Sequence, residues 1–233
     1  MSHFPVAVFT KPGQTVEELL APYYEHLEVE PYIKYTRQQA IDTARKLWPK
    51  TTKEMSDDEC WKYLAEEYDD DMIGEDGSIY STYNPNAKWD WWEEGGRWSG
   101  MLKSHCVEVD SCQVRDGDFS MDYEQYERSL RFWDVVVDHQ PEAKGEEFFP
   151  LYKESYYREY YGDRETYARW QAAFVTYAVV TPDGEWHAPG KMGWFGCSSE
   201  NAEQFCDWYD HYQERFIDSA EPDWTITLVD CHI

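Results

Sequence analysis

The residues best suited to chemistry lie in one stretch, Asn84–Gly100, reading NPNAKWDWWEEGGRWSG. It holds four tryptophans, two cations, three carboxylates and three glycines within seventeen residues. Arg97 can fork onto a phosphate or carboxylate through two parallel hydrogen bonds. Aromatic faces beside such a fork make a platform for a nucleobase or sugar, worth roughly 1–3 kcal/mol per stacked base. Lys88, Trp89, Trp91, Trp92, Arg97 and Trp98 are therefore candidate ligand-binding residues. The competing reading makes the tryptophans core and pairs Arg97 with Asp90 or Glu93. A second glycine-flanked aromatic loop, Lys191–Gly196, offers Met192, Trp194 and Phe195 as a facing wall.

The chain ends hold another set. His3 precedes a strand-like run and Asp230-Cys231-His232 follows one, so adjacent terminal strands would bring two imidazoles and a carboxylate together. Such a set can ligate a transition metal; terminal histidines as ordinary edge residues are the alternative. No G-x-S-x-G elbow, P-loop, H-E-x-x-H or dinucleotide fingerprint occurs, so no motif assigns a catalytic residue and none calls for a cofactor. Asp69-Asp70-Asp71 with Gly74 suggests a calcium loop, but Ile73 and Tyr80 fall where the fifth and twelfth ligands belong.

These residues need a frame. Phe4–Thr10 and Thr225–Val229 read as strands. Phe174–Thr181 and Glu185–His187 flank Pro182-Asp183-Gly184 as a hairpin. Thr15 with Glu18 and Ser56 with Glu59 have capping-box spacing. Helical spacing marks Thr36–Trp48, Tyr123–Val137, Leu151–Ala173 and Ser199–Asp218, while residues 23–35 show no period and read as coil. Lys88–Glu94 fits a helix, with Trp89 and Trp92 on one face, or a strand, with Trp89 opposing Trp92. The pattern predicts a single α+β domain over residues 1–233. Its one antiparallel sheet, ferredoxin-like in topology, carries helices on one face and a helical insertion at about 110–173.

Composition limits the function classes. With 47 acidic against 21 basic residues the net charge is −26, a field that repels phosphate backbones and anionic membrane surfaces. Eleven carboxylates and one lysine crowd residues 54–76. Aromatic residues make up 18%, which argues for a folded chain. Six scattered cysteines without a CxxC pair, a start without a secretory pattern and no membrane-length apolar run predict a cytoplasmic protein with reduced thiols.

Several pieces together resemble a family of phage and bacterial proteins: the MSHF start and its V-x-V strand, LLAPYYEHLEVEPY, the NPxxKWDW-x-x-x-GGRW block, PGKMGWFG and the VDCHI end. They are spread from residue 1 to residue 233, with about 110–170 unmatched. The resemblance implies a phage or mobile-element setting, the host cytoplasm and a role against host defence; it carries no catalytic assignment. Three functions follow as expectations. The first is sequestration of a small nucleotide-like ligand, such as a host immune signal, in the aromatic and arginine pocket. The second is inhibition of a basic host defence protein by an acidic, nucleic-acid-like face. The third is nucleotide hydrolysis, with His3, His232 or Asp230 as candidate groups.

Overall fold

The computed structural model of the chain describes residues 2–193 and 196–233, with Asp70 described by its backbone alone. The chain divides into two compact units, Met1–Tyr24 with Lys88–Ile233, and Glu25–Ala87. The boundary falls inside the tryptophan-rich block, after Asn84 has closed a turn by accepting the Asn86 and Ala87 N–H groups.

Unit one opens with strand β1 (His3–Thr10) and helix α1 (Val16–Leu20), which starts at the Thr15/Glu18 capping box and gives way to a tighter turn at Pro22. Unit two follows, with β2 (Tyr32–Tyr35), α2 (Arg37–Leu47), α3 (Asp57–Ala65) and β3 (Ile79–Ser81). Its core joins Ala40, Ile41 and Ala44 of α2 to Cys60, Leu64 and Ala65 of α3, with Ile79 beneath. The acidic run has local duties here. Asp57, Asp58 and Glu59 occupy the first turn of α3, where the helix dipole favours them, and Arg45 and Arg37 pair with Asp57 and Asp58. Residues 32–35, expected as coil, form a strand because β3 supplies a partner across a bulge at Ile33/Tyr35.

The chain then returns to unit one through β4 (Trp91–Glu94), β5 (Leu102–Ser104), β6 (Val107–Val109), β7 (Ser111–Gln113) and β8 (Gly117–Asp118). Helix α4 (Tyr123–Phe132) runs into a wider π turn at Trp133–Val137, and α5 (Glu154–Tyr161) and α6 (Arg164–Ala172) follow. The expected helix Leu151–Ala173 is thus two, broken at Gly162 (φ 74°), with Asp163 capping the second. Strands β9 (Ala178–Val180) and β10 (Trp186–His187), helix α7 (Ala202–Tyr212) and strand β11 (Thr225–His232) complete the unit.

The sheet corrects the expected fold class. It is not a single antiparallel or ferredoxin-like sheet: β10-β9-β1-β11-β4 is mixed, with β9 parallel to β1, and two smaller sheets stand apart. Nor do helices cover one face only. Phe4, Val6 and Val8 pack with Val16, Leu19 and Leu20 of the α1 side, while Ala7 and Phe9 pack with Trp208 and Tyr212 of α7. A strand apolar on both faces must be covered on both, and β1 (HFPVAVFT) is such a strand. The outer edge of β11 is shared, β4 running along Val229–His232 and β7 along Thr225–Thr227. At Leu228 between them, the carbonyl accepts the Gly95 N–H at 2.8 Å and the N–H donates to the Asp110 carbonyl at 2.7 Å.

Among the described residues no helix is long and apolar enough to cross a membrane. The α7 side of the core is rich in tyrosine. Burial, reinforced by Glu200, pushes the Tyr209 phenol up to about 12. On the α1 side, burial raises Tyr177 to about 12, against the opposing hydrogen bond with Ser198. An acid raised by folding stabilises the fold fully below its unfolded value of about 10, and this is lost as pH rises through the folded value. Alkaline titration should therefore show core tyrosinate absorbance appearing together with loss of circular dichroism, above the first wave of exposed tyrosines.

Candidate functional site

Four distant segments meet at one end of the main sheet. In the β1–β11 register His3 faces His232 and Pro5 faces Asp230; in the β11–β4 register Asp230 faces Glu93 and His232 faces Trp91. Side chains two residues apart share a sheet face, so His3, Asp230, His232, Trp91 and Glu93 all lie on one side. The loop after Lys191 is tied to the same end, because Ser2 Oγ donates to the Gly193 carbonyl (2.8 Å) and accepts the Gly196 N–H (2.6 Å).

Each histidine is held by its own carboxylate. His3 Nδ1 lies 3.0 and 3.1 Å from the two oxygens of Asp230, and His232 Nδ1 lies 2.6 Å from Asp90 Oδ1. The two imidazole centroids are 4.9 Å apart at 68°, and the Trp91 ring stands edge-on to His3 at 6.1 Å. An ionised carboxylate only accepts, so Nδ1 carries the proton in both rings. That leaves each Nε2 as the working nitrogen: a lone pair when the ring is neutral, a donor when it is charged. Among the described residues neither Nε2 has a hydrogen-bond partner. The side chains are 19% and 12% exposed, enough to meet a ligand yet firmly packed.

Asp230 is fully buried and receives a second donor, the Arg97 N–H at 3.1 Å. That contact requires the Gly95-Gly96 pair. Gly96 has φ 52°, and a Cβ there would sit 2.5 Å from Asp230 Cβ; Gly95 has φ 65°, and its Cβ would come within 2.4 Å of the Asp110 carboxylate. The glycines turn the chain at the end of β4 so that a backbone amide seals the buried carboxylate. Nearby, Trp98 Nε1 and Asp110 Oδ1 are shielded from solvent and have no hydrogen-bond partner among the described residues.

Of the nine residues expected to form one ligand pocket, the seven that are described are not gathered into one by their contacts. Trp89 is buried, donates its Nε1–H to the Leu20 carbonyl (3.1 Å) and lies against Tyr24 at 4.8 Å. Trp92 and Met192 pack on the same α1-side core. A bend at Asp90 places Trp89 and Trp92 on that one core although β4 is a strand. Lys88 is half-buried, and burial together with the nearby Lys191 charge lowers its pKa. Trp91 stays 45% exposed and Arg97 is exposed, its guanidinium without an ion pair among the described residues. Arg97 pairs with neither Asp90 nor Glu93. Trp98 lies in the turn after β4, while Trp194 and Phe195 lie outside the described residues. Asp90 is the partner of His232 that sequence reasoning missed, since nothing local couples the two residues.

Among the described residues no group of three or more His, Cys, Asp or Glu is arranged to hold a metal ion. Two imidazoles, each oriented by a carboxylate, suit proton transfer, and the exposed Trp91 indole stands edge-on to one of them. The division of the tryptophans has a measurable consequence. Trp89→Ala should cost about 3–5 kcal/mol, whereas Arg97→Ala should change stability by no more than about 0.5 kcal/mol; chemical denaturation of each variant checks both. No protein family, curated protein or solved structure matches the chain.

Proposed function

We propose that this protein binds a small nucleotide-like ligand and cleaves a phosphodiester in it by two-imidazole acid–base catalysis. The observation that carries the reading is the pair of rings 4.9 Å apart, each with Nδ1 on its own carboxylate and Nε2 without a hydrogen-bond partner among the described residues. One neutral Nε2 takes the proton from an attacking hydroxyl, of water or of the ligand's own ribose. As the new P–O bond forms, the other ring, charged, gives its Nε2 proton to the departing oxygen while the old P–O bond breaks. The proton returns from one ring to the other through solvent, so the site ends as it began. Arg97 supplies a cation for the phosphate and Trp91 a face for a base.

The acidity of the chain favours a small ligand over a polynucleotide. In a phage setting, this chemistry would remove a host nucleotide signal rather than merely hold it. Sequestration remains the second reading, supported by the exposed Trp91 and by Arg97, which has no ion pair among the described residues. One experiment separates the two. Wild-type protein is incubated with cyclic dinucleotides, cyclic ADP-ribose species and short linear ribodinucleotides, and the mixtures are analysed by chromatography and mass spectrometry alongside calorimetry. Cleavage is the expected result. Binding with unchanged ligand would replace catalysis by sequestration, and neither cleavage nor binding across the panel would end both readings.

A further inference from the structure

A cavity of about 470 Å³ lies within unit one, away from the paired histidines, between α6, α7 and the segment that leads into β9. We infer that it is a separate binding site for a purine nucleotide. The inference does not rest on the proposed cleavage reaction.

The volume falls within the range of small-molecule pockets, about 300–1,000 Å³. Its walls are aromatic: Trp170 and Tyr209 are stacked at 5.2 Å and 29°, and Phe174 contributes a third ring. A planar heterocycle finds both stacking and edge contacts there. Polar groups gather at the same cavity and are incompletely used. The Trp170 Nε1–H donates to Asp210 Oδ1 at 3.1 Å, and Arg169 Nη2 approaches that same oxygen at 3.5 Å. Asp210 Oδ2 therefore has no partner among the described residues, although the side chain is 47% exposed. Gln213 donates its amide N–H to Asp218 at 2.9 Å, which leaves its carbonyl oxygen to accept. Arg169, 59% exposed, keeps its remaining N–H groups for an anion.

These groups define the ligand: a flat ring stacked by aromatics, N–H donors on its edge for Asp210 and Gln213, and an anionic group for Arg169. A purine monophosphate has all three. Guanine suits best, because its adjacent ring N–H and exocyclic amine can both face a carboxylate. Pyrimidines offer a smaller stacking face and fewer donors.

Calorimetry on the full chain carrying His3→Ala and His232→Ala keeps the ligand intact during the measurement. Guanosine monophosphate should bind at one site per chain and more tightly than cytidine or uridine monophosphate. Asp210→Asn, which keeps an oxygen for Trp170 but removes the charge, should weaken binding about tenfold. Arg169→Ala should weaken the monophosphate but not guanosine. Ala173→Phe, which fills the cavity from its wall, should abolish binding while circular dichroism stays native. No binding of any purine nucleotide to the wild-type chain overturns the inference, as does binding that survives both Asp210→Asn and Ala173→Phe. Failure of the cleavage assay leaves these outcomes untouched, because they are read with the paired histidines removed.

Discussion

His3→Ala or His232→Ala is expected to lower kcat/KM for phosphodiester cleavage by about 10²–10⁴. Removing both should cost little more than removing either, because the two rings act as one unit. The rate of wild-type protein against pH should be bell-shaped, since turnover needs one ring neutral and the other charged. Each single variant should lose one limb of that profile, a change that a purely structural histidine would not produce. Asp90→Asn tests the same mechanism from behind the ring. It removes the carboxylate that fixes the His232 proton on Nδ1, so kcat should fall while KM holds. The folding control differs between the two histidines. Loss of His3 leaves the buried Asp230 with the Arg97 N–H alone and should cost about 1–3 kcal/mol. Loss of His232 leaves a partly exposed Asp90 and should cost less. A fall in activity equal for both variants, with unequal stability losses, would assign the effect to chemistry. Activity that followed stability instead would remove the catalytic reading.

The second large effect concerns stability. Gly96→Ala places a Cβ where only 2.5 Å separates it from Asp230 Cβ, at a φ of 52°. The left-handed backbone alone costs about 1–3 kcal/mol, and relieving the overlap adds about 1–3 kcal/mol. Together these should lower Tm by roughly 5–20 °C. The obstructing atoms belong to a fully buried residue in the central strand pair, so they cannot swing aside. Because the same glycine brings the Arg97 N–H to Asp230, the variant should also lose site function under conditions where it remains folded. Gly184→Ala makes the control: φ is 87° there but open space surrounds the position, so only the backbone cost should appear. Thermal unfolding of the two variants separates strain from collision.

Much of the local structure was legible because its causes lie within a few residues. The capping boxes at Thr15 and Ser56 start helices where their side chains meet the third helical N–H. The Pro182-Asp183-Gly184 turn joins β9 to β10, with Gly184 N–H donating to the Thr181 carbonyl at 2.8 Å. The β5–β6 hairpin was illegible for an equally local reason. Its two-residue turn is His105-Cys106, with φ of 49° and 65°, where glycine or asparagine is the usual signal. The stretch 102–109 therefore folds back on itself as two antiparallel strands. The parallel partner of β1 was illegible for a different reason: apolar alternation describes the faces of a strand but not the direction of its neighbour.

What the amino-acid sequence determined by itself is the set of groups available to the site: two imidazoles near the termini, carboxylates beside tryptophans, and a glycine pair before an arginine. It also determined the local turns and helix starts that deliver them. Only the tertiary structure decided which groups meet. His3 and Asp230 are 227 residues apart and Asp90 and His232 are 142 apart, so each pair exists only once β1, β11 and β4 align in register. A shift of one residue would turn every one of these side chains to the opposite face. The same alignment buries Trp89 as core, packs the half-buried Trp92 against that core and leaves Trp91 and Arg97 exposed. Position within the sheet, more than residue type, separates the structural members of the tryptophan block from those that can meet a ligand.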